Sequence, residues 1–130
     1  VEITRTYEFA AAHRLHSTAL DPEENRDVYG KCNHPAGHGH NYVLEVTVIA
    51  EPDARTGLAV APERIDRAVD DEIVSRYDHR NLDVDVDELA GRPTTSENVA
   101  LAIHARLSRH LPIKRVRLWE TARNAFTVES

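Results

Sequence analysis

Two stretches of two-residue alternation, each running into histidine, constrain this chain more than any other feature. From about Glu2 to Ala12 the odd positions read Ile3, Arg5, Tyr7, Phe9 and Ala11, and the even positions read Glu2, Thr4, Thr6 and Glu8. A period of two places alternate side chains on opposite faces, so this is a strand with one face on a core and one in water. Arg5 is the single flaw in the apolar row, and His13 continues that row. A second strand runs from about His40 to Ala50, with His40, Tyr42, Leu44, Val46 and Val48 on one parity and His38 extending it backward. If these strands pair antiparallel, the end of the first meets the start of the second, and His13 comes near His38 and His40.

The rest of the sequence supplies the layer that covers them. A polar stretch from about Ser17 to Gly39 carries turn signals at Asp21-Pro22, Gly30, Pro35 and Gly37 and reads as a long loop. Loops of that length in compact domains are usually functional or disordered. After a turn-rich excursion from Glu51 to Gly57, a helix opens near Pro62. Ile65, Val69, Ile73 and Tyr77 form its stripe, and it ends near Asp78-His79. A second helix, from about Ser96 to His110, buries Val99, Ile103, Leu107 and Leu111 and stops at Pro112. Two further strands follow, Arg115 to Thr121 and about Ala125 to Glu129. The order ββααββ predicts an α+β fold, a four-stranded antiparallel sheet with two helices on one face. Open sheet edges predict self-association.

The 130 residues predict a single domain, 1–130. A net charge of −6 without a dense basic run argues against duplex nucleic acid as a partner. No apolar run approaches the roughly 20 residues needed to span a bilayer, so no membrane partner is expected. No basic-then-apolar leader pattern is visible, and the expected location is cytoplasmic. One cysteine leaves no disulfide within the chain. Eight histidines are many, and His13, His16, His34, His38 and His40 all precede Tyr42.

His38-Gly39-His40 puts both imidazoles on one side of a strand. With His13 they make three neutral nitrogen donors, a donor set that suits a catalytic zinc with an open fourth position; the alternative is a pair of surface histidines in a loop. His16 and His34 read as solvated or as neighbours of the ligands, and His104 and His110 as helix-surface residues. Cys32, in Gly30-Lys31-Cys32-Asn33, is a small buried hydrophobe, a thiolate favoured by its cationic neighbour, or a fourth zinc ligand. Asp78-His79 is either a histidine placed against a helix dipole or a base oriented by a carboxylate. Glu120 shares the parity of Val116 and Leu118, so it either faces inward toward a ligand with N–H donors or lies in water at the strand end. Thr94 and Glu97 spell a helix capping box.

Several segments together resemble a known family. Phe9-Ala10-Ala11-Ala12-His13-Arg14-Leu15-His16, the segment from Val28 to Tyr42, Asp78-His79-Arg80-Asn81-Leu82, Thr95-Ser96-Glu97-Asn98-Val99-Ala100 and Trp119-Glu120-Thr121 occur in the order of the 6-pyruvoyl-tetrahydropterin synthase family. That family includes the bacterial 6-carboxy-tetrahydropterin synthases of queuosine biosynthesis. The resemblance implies a tunnelling fold (T-fold) assembled as a hexamer, a dimer of trimers, with active sites between subunits. It implies zinc on His13, His38 and His40, Cys32 as the proton-abstracting thiolate, and an Asp78–His79 relay, from the same subunit or a neighbouring one. It further implies Glu120 as the anchor of the pterin ring, with Thr95, Ser96 and Glu97 near the same ring.

The implied substrate is 7,8-dihydroneopterin triphosphate, and magnesium is a possible companion of the triphosphate. Arg14, His16 and Lys31 are candidates for meeting that group by charge alone. The long Cys32-to-His38 stretch resembles the animal 6-pyruvoyl enzymes, while the familiar bacterial 6-carboxy enzymes have a shorter one ending in Leu-His-Gly-His-Ser. Ser96, His34 and Ala36 depart from the animal pattern. The expectation is a 6-pyruvoyl product, with a 6-carboxy product as the alternative. A zinc- or pterin-binding module without turnover and a zinc hydrolase are the readings from other classes.

Overall fold

The computed structural model describes residues 1–130. Strand β1 (Glu2–His13) and strand β2 (His38–Ile49) form an antiparallel ladder in which Phe9 faces Tyr42, Ala11 faces His40 and His13 faces His38. A two-residue strand β3 (Arg80–Asn81) adds to the free edge of β1 in parallel. Strand β4 (Ile113–Thr121) pairs with β2, and β5 (Asn124–Glu129) with β4, giving the order β3-β1-β2-β4-β5. The sheet thus has five strands where four antiparallel ones were expected. The extra strand follows from the backbone: His79 and Leu82 donate their N–H groups to the carbonyls of Ala10 and Ala12. So short a segment has no hydrophobic period from which to read it.

The apolar parities meet as predicted. Phe9, Ala11, Tyr42, Leu44, Val46, Val48, Val116 and Leu118 join residues of the helical segments in one core of 23 buried side chains. The stretch read as a loop contains a helix, α1 (Pro22–Tyr29), followed by a 3₁₀ turn, Gly30–Asn33. Asp21 and Glu24 form its capping box, with Pro22 in the first turn. Asn25 is fully buried and fastens the helix to the residues before it. It accepts from Ser17 N–H at 2.8 Å and donates to the carbonyls of Ser17, Leu20 and Asp21.

Helix α2 (Pro62–Val69) continues through a π-helical turn (Asp70–Val74) into a last turn α3 (Ser75–Tyr77), burying Ile65, Val69, Ile73 and Tyr77. Helix α4 (Ser96–Leu107) buries Val99, Ala100, Ile103 and Leu107. No helix is long and apolar enough to cross a membrane. Arg5, the flaw in the alternation, lies at the rim of the core, where its Nε and Nη2 donate to Asp66 of α2 at 2.6 and 3.0 Å. The Tyr7 hydroxyl donates to the same carboxylate at 2.6 Å. The flaw is therefore a clamp from sheet to helix.

A charged cluster ties α3 to the segment after it. Arg76 donates both Nη groups to Glu88, at 2.6 and 2.7 Å, and the Tyr77 hydroxyl donates at 3.0 Å. Burial pushes the Glu88 carboxyl up, but these donors outweigh it and hold it at about 2, against an ordinary 4.5. A carboxylate depressed on folding stabilises the fold above its unfolded value and loses that contribution as pH falls through the folded one. Glu88→Gln should therefore cost about 1–3 kcal/mol at pH 7. It should also flatten the fall in stability between pH 4.5 and 2, read from urea midpoints across that range.

Candidate active site

The ladder brings three imidazoles together where β1 ends and β2 begins. Ring centroids of His13 and His38 lie 4.7 Å apart, His38 and His40 4.8 Å, and His13 and His40 5.1 Å. One nitrogen of each lies within 4.8 Å of the others. The Nε2 atoms of all three are buried and have no hydrogen-bond partner. Three buried, unpartnered acceptors facing one another are costly unless something binds them. A metal ion fits this donor set, and the three histidines could hold one.

The protein prepares His13 as an acceptor. His13 Nδ1 lies 2.8 Å from the Thr94 carbonyl, which can only accept, so Nδ1 carries the proton and Nε2 keeps its lone pair. Burial lowers the pKa of His13 despite that carbonyl, and the other two rings push it further down. Burial likewise lowers His40, against the pull of the Glu120 carboxylate. Both rings are therefore neutral at pH 7, as metal ligation requires.

Asp83 was not singled out by sequence, and Thr94 only as a cap. The Thr94 hydroxyl donates to Asp83 at 2.5 Å, and Asp83 also accepts the Arg14 N–H at 2.7 Å. The capping box expected at Thr94 and Glu97 does not form: Thr94 precedes the cap position, and the Glu97 side chain makes no hydrogen bond. Thr95 caps α4 instead, accepting from Asn98 N–H at 3.3 Å. Asp83→Asn should loosen the carbonyl that orients His13 and weaken metal binding by about 10–100-fold, measured by competition with a chelator.

Glu120 stands near the same rings. It accepts the Ser96 hydroxyl at 2.5 Å. Its charge also holds the buried Tyr42 phenol protonated, in the same direction as the larger effect of burial. Tyr42, which has no hydrogen-bond partner for its hydroxyl, lies 5.6 Å from the His40 ring. It occupies the parity of His38 and His40, the one signal by which sequence could have placed it here. Among the expected ring-binding residues, only Ser96 touches Glu120. Thr95 is engaged in the cap, and Glu97 is exposed with no hydrogen bond of its side chain.

Cys32 lies in the 3₁₀ turn, half-buried, with its carbonyl accepting the Leu15 N–H at 2.9 Å. It is not part of the histidine cluster. Asp78 accepts the Ala10 N–H at 2.8 Å and sits 2.9 Å from His79 Nδ1. The Ala10 N–H and then the His79 contact hold the Asp78 carboxyl below the usual range. His79 has a left-handed backbone (φ 60°) and a side chain 82% exposed. Such a backbone is uncommon for a residue with a side chain and is found where surroundings impose it; here its N–H is tied to Ala10 at 2.6 Å. Within one protomer the thiol makes no hydrogen bond to this pair.

The family model for 6-pyruvoyl tetrahydropterin synthase matches residues 2–130. This chain belongs to that family. A 6-pyruvoyl tetrahydrobiopterin synthase from Poecilia reticulata is 43% identical over 125 residues, covering 94% of this chain and 85% of its own length. The Homo sapiens synthase of the same name is 40% identical over 126 residues, 95% of this chain and 87% of its own. The solved structure of the Caenorhabditis elegans 6-pyruvoyl tetrahydropterin synthase superposes with a TM-score of 0.95 at 36% identity, covering 100% of this chain and 95% of that one. The expected T-fold is therefore this synthase fold, and the protein is an enzyme of the lyase type. A Pyrococcus furiosus dihydroneopterin monophosphate aldolase is also similar, 40% identical over 96 residues, 71% of this chain and 75% of its own.

Proposed function

We propose that this protein, acting as one domain, converts 7,8-dihydroneopterin triphosphate to 6-pyruvoyl-tetrahydropterin with loss of triphosphate. The observation that carries the reading is the convergence of three unpartnered imidazole nitrogens beside Glu120, in a member of this family. His13, His38 and His40 would hold zinc, which as a Lewis acid would polarise the substrate's side-chain hydroxyls and acidify the neighbouring C–H bonds.

The other roles belong to the protein's own groups. Glu120, oriented by Ser96, accepts from the amino group and ring N–H of the pterin. Thr95 and Glu97 flank the same end of α4. Cys32 takes the proton from the substrate side chain, and Asp78 orients His79 for its relay. The electrons left behind move into the dihydropterin ring, so no external reductant is required. The exposure of His79, and the lack of a hydrogen bond from it to Cys32 within one protomer, support a relay completed between copies in a hexamer. Magnesium would accompany the triphosphate.

The test is mass spectrometry of products from zinc-loaded protein given the triphosphate substrate, without oxygen or added reductant. A 6-pyruvoyl product with free triphosphate is expected. A 6-carboxy product with acetaldehyde would move the protein to the deazapurine route. Unchanged substrate would leave a binding module.

A further inference from the structure

We propose that the cavity walled by Arg14, Arg26, Lys31 and His34 is a polyphosphate subsite that takes the triphosphate tail of the substrate; this rests on the pterin-triphosphate reading above. The cavity measures about 580 Å³, and its lining contains neither a carboxylate nor a large apolar side group. That is unusual in a protein whose net charge is −6. Like most of the chain's arginines other than Arg5, Arg76, Arg106 and Arg115, the side chains of Arg14, Arg26 and Lys31 form no ion pair and keep their charge available.

Arg14 is held by a carbonyl and not by an acid, while the Arg26 and Lys31 side chains are exposed. Arg14 Nε donates to the Asn33 carbonyl at 2.8 Å, and its Nη groups have no protein partner. Asn33 is buried and donates through Nδ2 to the Leu15 carbonyl at 2.7 Å. Arg26 rises from the last turn of α1, the helix fastened by Asn25. Lys31 follows in the 3₁₀ turn. A guanidinium fixed by one N–H and free at the others suits phosphate oxygens, and a lysine adds a mobile point charge.

The cavity's residues are chain neighbours of the proposed reacting groups. Arg14 directly follows His13, and Lys31 and Asn33 flank Cys32. When a second side-chain proton is removed after the ring has taken up the first electron pair, the C–H electrons form a C=C bond as the neighbouring C–O bond breaks, and the C–O pair leaves on the triphosphate. Cations that hold the tail in the substrate also meet the charge that grows on the leaving group.

The probe is inorganic tripolyphosphate, titrated by calorimetry into zinc-loaded protein, with zinc content checked afterward because polyphosphates chelate metals. The double substitution Arg26→Gln with Lys31→Gln should weaken tripolyphosphate about tenfold or more. Its zinc content and its affinity for dihydroneopterin without phosphate should stay at wild-type levels. Arg26→Lys, which keeps the charge, should retain most of the affinity and guards against a folding defect. Unchanged tripolyphosphate affinity in the double variant would overturn the subsite, even with pterin turnover intact. Weakened affinity in a protein that turns over no pterin would support the subsite while removing the proposed function.

Discussion

Cys32→Ser is expected to abolish turnover, by about a thousandfold or more, while zinc content stays at the wild-type value. A cysteine sulfur takes and gives up a proton far more readily than a serine hydroxyl, so under the proposed mechanism a nearly isosteric exchange removes chemistry without removing shape. The zinc should stay because Cys32 is not part of the histidine cluster. Paired measurements decide the matter: triphosphate release under substrate saturation, and metal content of the same sample. Retained activity would point instead to hydrolysis by a metal-bound water, for which the thiol is unnecessary. Loss of both activity and zinc would make Cys32 a ligand.

His40→Ala should lower zinc from about one ion per protomer to a trace, and turnover with it. His40 supplies one of three buried Nε2 atoms that have no other partner. Two remaining imidazoles bind far more weakly than three, so the ion is lost on dialysis. A thermal measurement gives an independent reading. A metal that binds only the folded state raises its stability, so a chelator should lower the melting temperature of wild type. The same chelator should leave His40→Ala unmoved. An equal response in both proteins would mean that the ion sits elsewhere.

The fold and the histidine cluster were legible because both rest on parity. A period of two assigns Phe9, Ala11 and His13 to the core side of one strand and His38, His40 and Tyr42 to the core side of the next, and antiparallel pairing joins them on one face of the sheet. Helix α1 was missed because its eight residues bury only Asn25, a polar residue, so hydrophobic period is silent there. The Asp21–Glu24 capping box was the available signal. The roles of Thr94 and Asp83 escaped for another reason. Their partners lie far off in sequence, His13 at a separation of 81 residues and Arg14 at 69, and one hydroxyl cannot be assigned to a cap or a carboxylate without knowing both. The placement of Cys32 relative to the Asp78–His79 pair was beyond reach as well, since no spacing rule relates segments so far apart in the chain.

The direct facing of His13 and His38 across the ladder has a consequence for how such a protein can diversify. The two residues are 25 positions apart in the sequence, yet their meeting is fixed by strand register and owes nothing to the length of what joins them. The joining segment carries α1, the cationic turn and Cys32. A change in the length of this segment is therefore expected to leave the three imidazoles in place, because register and not the connection brings them together.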